Sequence, residues 1–208
     1  MYAIIEDGSI SRYINYPKAI TIGDVQYPAK IFSAWTANEL AAIGIIEVTF
    51  DDSNKKNEQW YTNTNQTYTY DASAGTVTAT YGTATAKAHA DTLFTAQDET
   101  DGLGTEGEVK VEGLKTVLIR TVKAQAEGLL NQTDWYITRK AEKNIAIPSA
   151  ITTWRDGIRT KQAAMETSIA NASDTPALET LYTYVNTADE GDPVVMERPL
   201  GEFPVLGS

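Results

Sequence analysis

Leu114, Leu118, Val122, Ala126 and Leu129 recur every three or four residues, a spacing that places them on one face of a helix. A second stripe opens at Pro148-Ser149 and runs through Ile151, Trp154, Ile158, Met165 and Ile169, with the proline suited to a first helical turn. Each stripe needs an apolar surface to cover it, and the nearest one is the other stripe. Between them lies Leu129-Leu130-Asn131-Gln132-Thr133-Asp134-Trp135-Tyr136. Asn131 tolerates a left-handed C-terminal position, and Thr133-Asp134 offers side-chain oxygens to free backbone amides. The stretch from Val111 to Val185 therefore predicts a helical hairpin around a polar turn that carries two large aromatics. Thr175-Pro176 followed by Leu178, Leu181, Tyr182 and Val185 predicts a third, shorter helix.

The rest of the chain reads mainly as strands. Tyr2 to Glu6 and Ile10 to Ile14 flank Asp7-Gly8-Ser9, a hairpin signal. Ile20-Thr21-Ile22 and Val25-Gln26-Tyr27-Pro28 flank Gly23-Asp24 in the same manner. Thr36-Ala37-Asn38-Glu39 has the form of a capping box, predicting a short helix to Ile43 with Gly44 as its stop. Phe32, Trp35, Leu40 and Ile43 are expected to pack on the strands. Ile45 to Phe50 is a strongly apolar strand, and the Thr/Tyr-rich run Trp60 to Tyr70 returns as Thr76 to Tyr81 in a longer hairpin.

From Thr83 to Gly113 large apolar residues thin out and no period is sustained, which reads as a linker. The expected fold class is α+β: a small N-terminal antiparallel sheet with one short helix, and a C-terminal helical hairpin or three-helix bundle. The expected divisions are 1–85 for the β domain, 86–112 for an acidic Gly/Ala/Thr-rich linker, 113–188 for the helical domain and 189–208 for an extended arm. The arm carries Phe203 and other apolar residues that could dock.

Charge and residue inventory exclude several functions. The net charge of −11 opposes a phosphate backbone unless one region is basic. From Gly113 to Lys161 nine Lys/Arg stand against four acids, but the two signs alternate without aromatic interleaving, the pattern of a solvated helix surface. No nucleic-acid partner is expected. No apolar run reaches the ~18 residues a membrane span needs, and the N-terminus lacks a secretory signal's positive region, so a protein made in the cytoplasm with no membrane partner is expected. With no cysteine, there is neither a thiolate nucleophile nor a thiolate metal site.

Catalytic and cofactor motifs fare no better. Gly102-Leu103-Gly104-Thr105-Glu106-Gly107 satisfies a dinucleotide-binding spacing, yet no strand precedes it and acids surround it. Gln97, Glu99, Asp101 and Glu108 approximate a calcium loop with glutamine in place of its first aspartate. His89, the single histidine, lies in the presumed linker away from any serine elbow. No enzyme, cofactor or metal is expected. Trp135, Tyr136 and Trp154 read first as core between helices, with part of that aromatic surface free to anchor a partner, since Trp, Tyr and Arg dominate binding hot spots. Arg155 and Arg159, one turn apart, flank that surface.

The run Gly128 to Tyr136, with its Leu-Leu-x-x-Thr-Asp-Trp turn, followed by Ile147-Pro148, Trp154-Arg155 and Ile158-Arg159, resembles the C-terminal pattern of small tail proteins of tailed bacteriophages. These include tail fibre assembly proteins and tail assembly chaperones. Tyr27 to Phe32, Trp35-Thr36, Glu39-Leu40 and Ile43 to Ile45 look like the front end of similar proteins from aquatic phages, and Arg198 to Pro204 looks like their close. Where tail fibre assembly proteins commonly end in Trp-Pro, this chain has Phe203-Pro204.

The resemblance implies a non-enzymatic component of the virion tail that binds tail fibre or baseplate proteins, with self-association in the tail as a further contact. The alternative within the same system is a transient tail fibre assembly chaperone absent from the finished virion. An alternative of another class is a carbohydrate-binding module using the Trp60 to Tyr81 hairpin. The partner-binding residues expected from the pattern are Trp135, Tyr136, Trp154, Arg155, Arg159 and Phe203.

Overall fold

The structure, a computed structural model, describes residues 1–207. It falls into two compact units, Met1–Thr85 and Ala86–Ser208.

In the first unit β1 (Tyr2–Glu6), β2 (Ser9–Ile14), β3 (Ile20–Ile22) and β4 (Val25–Tyr27) lead into α1 (Ile31–Ala34) and α2 (Ala37–Ala42). Then come β5 (Ile45–Asp51), β6 (Tyr61–Thr62), β7 (Gln66–Asp71) and β8 (Thr76–Tyr81), and β9 (Thr85–Ala86) stands at the boundary. Five strands form one sheet in the order β2-β1-β5-β8-β7. Asp7 and Gly8, with φ of 50° and 76°, turn β1 into β2 through the positive-φ pair that a tight hairpin requires. Thr36 Oγ1 accepts from Glu39 N at 3.3 Å and Glu39 Oε2 accepts from Thr36 N at 2.7 Å, closing the capping box that starts α2. Gly44 then reverses the chain at φ 79°; a Cβ there would stand 2.6 Å from Ile5 O.

The two sheet faces differ in what covers them. Ile4, Ile14 and Ile45 point to one face, where Ile20, Ile31 and Leu40 from β3, α1 and α2 bury them. Ala3, Val48, Val77 and Ala79 point to the other, with Ile10, Tyr68 and Tyr70 packed around them. Ala3 and Ala79 are fully buried, and such small side chains let that face become concave. The curl is strong enough that Tyr13 of β2 and Tyr68 of β7, on opposite edge strands, pack with ring centroids 4.7 Å apart.

The second unit begins with β10 (Thr92–Leu93), α3 (Ala96–Thr100) and β11 (Val109–Val111). It continues with α4 (Leu114–Asn131), α5 (Asp134–Lys143), α6 (Ser149–Asn171) and α7 (Thr175–Tyr182), then β12 (Val185–Asn186) and β13 (Met196–Glu197). α4 and α6 form the hairpin, burying Leu118, Val122 and Ala126 from one helix and Ile151, Trp154, Ile158, Met165 and Ile169 from the other.

This architecture corrects the expected fold class. The sheet is not a small antiparallel one with a single helix beside a three-helix bundle. It is a curled, mixed five-stranded sheet, and the described residues form thirteen strands and seven helices in all. The mixed character arises at β5, whose apolar residues face both ways: β1 covers one edge antiparallel, and β8 covers the other in parallel with Val48 opposite Val77. β8 arrives in that direction because the chain first crosses over and runs up β7, so the β7–β8 hairpin lies outside β5.

The helix count exceeds the expectation at three places, the first being the short α1 ahead of α2. α5 forms from the aromatic turn, with Asp134 in its first turn, Lys140 and Lys143 in its last, and Asn144 in left-handed conformation at its C-cap, all favourable to the helix dipole and its ends. The stretch read as a linker carries β10, α3 and β11. There Thr95 and Asp98 make a second capping box, and Lys110 Nζ donates to Asp98 Oδ1 at 2.6 Å. Asp91 accepts from Gly113 N at 2.6 Å and from Thr116 Oγ1 at 2.8 Å, holding the first turn of α4.

The hydrogen bond from Lys110, joined by those from the Thr95 amide and hydroxyl, holds the Asp98 carboxyl at about 2, below its ordinary 3.8. A depressed carboxylate stabilises the folded loop above its unfolded value, and the contribution is lost as pH falls through the folded value. The loop is therefore expected to weaken between pH 3.8 and about 2. An NMR titration of Asp98 should give a midpoint near about 2, moved upward by Lys110→Ala; an ordinary midpoint in the unmodified chain would contradict this account of the loop.

Candidate partner-binding site

The α4–α5 turn is built around a buried cation. Arg155 projects from α6 and is only 7% exposed, beside Thr133 at 2%. Its Nη1 donates to Leu130 O at 2.8 Å and to Thr133 Oγ1 at 2.7 Å, and Asp134 Oδ1 lies 2.8 Å away. Thr133 Oγ1 in turn donates to Leu130 O at 3.1 Å. A guanidinium at the last carbonyls of α4 satisfies acceptors that the helix leaves open and complements the negative end of its dipole. The Asp134 carboxylate is half exposed, so the charge of Arg155 is balanced without burying a second ion completely. The turn is thereby fixed in one geometry, and α5 leaves it in a defined direction.

α5 buries none of its residues. Trp135 is 51% exposed and stacks on Tyr136 with ring centroids 3.8 Å apart. The Arg139 guanidinium covers both rings, 4.7 Å from the Trp135 centroid and 5.1 Å from that of Tyr136, a cation–π arrangement that helical spacing produces from residues three and four apart. Among the described residues Arg139 forms no ion pair, and its Nε is buried without a hydrogen-bond partner. Lys140 and Lys143 extend the positive charge along the helix.

The other expected site residues lie elsewhere in the same unit. Trp154 is buried with Ala126 and Ile158, and half-buried Phe203 packs against them. The indole Nε1 donates to Pro204 O at 2.9 Å, tying the C-terminal arm across the hairpin. Gly157 leaves room for that crossing: a Cβ there would meet Pro204 Cγ at 3.3 Å. Leu200 is buried, and its amide donates to Leu181 O at 3.0 Å. Arg159 is exposed, paired with Asp156 at 3.2 Å, and lines a groove of about 590 Å³ with Leu130, Gln162 and Ala163.

The six residues thus divide by location. Trp135 and Tyr136 share one exposed stack, Arg155 supports it from below, Trp154 and Phe203 belong to the packed arm, and Arg159 sits on a separate groove. Arg139 was not singled out in the sequence. Its signal was present as the i+4 position from Trp135, visible only once 134–143 is read as a helix. The arrangement presents a flat aromatic surface topped by a cation, able to take an apolar side chain against the rings and a carboxylate at the guanidinium.

The described residues include no group of three or more His, Asp or Glu placed to hold a metal ion, and no helix is long and apolar enough to cross a membrane. No protein-family model, no curated protein and no solved structure matches the chain.

Proposed function

We propose that this chain is a non-enzymatic structural component of a tailed-phage tail, docked on a tail fibre or baseplate protein through α5. The reading rests on the Leu-Leu-x-x-Thr-Asp-Trp resemblance and on one observation: a helix with no buried residue holds out a Trp135–Tyr136–Arg139 stack from a turn locked by Arg155. A solvated helix gains nothing from exposing a tryptophan, whereas Trp, Tyr and Arg around a preorganised centre make a binding hot spot. The partner's complementary patch is apolar at its centre and acidic at its rim, facing Arg139, Lys140 and Lys143.

Trp135→Ala tests this directly. Removing a hot-spot aromatic costs about 2 kcal/mol or more of binding, which is more than tenfold in affinity. Surface truncation of this kind leaves stability within about 0.5 kcal/mol. Retention of purified chain on isolated tails should therefore drop at least about tenfold for Trp135→Ala while its thermal melt stays in place. Equal retention of the two proteins would contradict the assignment of α5 as the docking surface.

A further inference from the structure

A second recognition surface lies in the first unit, where the sheet curls edge to edge. Regular alternation would send Ile10 and Tyr13, three residues apart, to opposite faces of β2. The register between β1 and β2 shifts so that Ile5 opposes Ile10 and Ile4 opposes Arg12, leaving Ser11 as the extra residue of a bulge. The bulge returns Ile10 and Tyr13 to the same concave face, a re-aiming that bulges commonly perform next to sites. From the opposite edge Tyr68 and Tyr70 of β7 reach the same face. Between them is a cleft of about 430 Å³ walled by Ser9, Ile10 and Tyr13 on one side and by Tyr68, Thr69 and Tyr70 on the other.

The chemistry of this wall is selective. Lys, Arg, Asp and Glu make up 22% of the chain, yet none lines the cleft, so nothing there favours a charged ligand. Tyr13 is 43% exposed. Among the described residues the hydroxyls of Tyr13, Tyr68 and Tyr70 make no hydrogen bond, so each is free to donate and accept. Flat aromatic faces beside free hydroxyls match a ligand with an apolar C–H face and polar groups at its edge. The Tyr13–Tyr68 contact at 4.7 Å also bridges the gap between β2 and β7, where an added peptide strand would have to run, which disfavours strand insertion.

We propose that this tyrosine cleft is a binding site for a neutral oligosaccharide, with sugar rings stacked on Tyr13 and Tyr68 and hydroxyls held by the phenol groups of Tyr13, Tyr68 and Tyr70. The site is distinct from the Trp60 to Tyr81 hairpin taken as a whole, because Trp60 and Tyr61 are buried at 2% and 6% and only the β7 end of that hairpin contributes.

The test is an array of neutral and acidic glycans probed with the full chain, followed by titration of the neutral oligosaccharides that bind. Binding to neutral glycans is expected, weakened about tenfold by Tyr13→Ala or Tyr68→Ala, in line with the worth of an aromatic stacking contact. Tyr68→Phe, which keeps the ring packing, should fold normally and bind several-fold more weakly. Tyr16→Ala, at an exposed tyrosine outside the cleft, and Trp135→Ala should bind as the unmodified chain does, so the result is read independently of the α5 surface. Absence of any neutral-glycan binding, binding confined to acidic glycans, capture of peptides in place of sugars, or binding indifferent to all three cleft variants would overturn the proposal.

Discussion

Trp154→Ala is expected to destabilise the helical unit by roughly 3–5 kcal/mol, the usual cost of truncating a buried tryptophan. The side chain fills the space between Ala126 and Ile158 and is covered by Phe203, so its removal leaves a cavity that α4 and α6, joined along their length, collapse into only partly. It also deletes the donor that holds Pro204 O at 2.9 Å. The arm then keeps Leu200 with its hydrogen bond to Leu181 O, the Tyr184–Glu202 hydrogen bond, Arg198 over the Tyr182 ring and the remaining contacts of Phe203, but loses its tie across the hairpin. Trp154→Phe separates the two contributions. It keeps most of the aromatic packing and loses the hydrogen bond, worth about 0.5–1.5 kcal/mol, so it should free the arm more than it weakens the hairpin. Chemical denaturation together with protease cleavage near Phe203 measures both; an unchanged denaturation midpoint for Trp154→Ala would contradict the packing described here.

Arg155→Ala is expected to cost roughly 3 kcal/mol, because it removes a charged donor from two acceptors in a nearly dry turn. Leu130 O keeps Thr133 as a donor, but Thr133 loses the donor that lies 2.7 Å from its hydroxyl, and Asp134 loses its partner at 2.8 Å. Arg155→Lys should recover only part of the loss, since the shorter lysine side chain ends one bond short of Nη1, the atom that makes all three contacts. The effect should extend to binding: with the turn loosened, α5 no longer presents Trp135 and Tyr136 in one direction, and tail retention should fall under conditions where the protein is still folded. Arg159→Ala, at an exposed pair with Asp156, should change stability by no more than about 0.5 kcal/mol. A similar loss for both arginines would show that the burial of Arg155 carries no special weight.

The parts of the fold legible in the sequence are those whose order is local. α4 and α6 carry long apolar stripes, and α6 begins directly after Pro148. The end of α4 differs from the expectation, since Asn131 is its last helical residue, Gln132 follows in right-handed conformation, and the left-handed asparagine is Asn144 at the end of α5. The Asp7-Gly8 turn and the Thr36–Glu39 box each act within a few residues. The arrangements that escaped are of two kinds. α5 is helical without burying any side chain, so it offers no hydrophobic period; its dipole-matched ends and the αL Asn144 were the available signals. The parallel pairing of β5 with β8 depends on which edge a distant strand chooses, which alternation within β8 does not encode.

The same distinction governs the sites. The aromatic and arginine content around 135–159 marked the region, but which residue faces solvent follows from α6 lying beneath the turn, and that turned Arg155 inward while leaving Arg159 outside. The tyrosine cleft needed two non-local facts, the bulge at Ser11 and the contact between opposite sheet edges. Neither has a counterpart in the spacing of Tyr13, Tyr68 and Tyr70.

Mass spectrometry of purified, intact phage particles, with copy number measured against the major tail protein, tests the proposed function most directly. A structural tail component is predicted to be present at a copy number matching the symmetry of the tail or its fibres. Absence from the particles, with the chain found instead bound to fibre protein in infected cells, would contradict that role and identify a transient assembly chaperone.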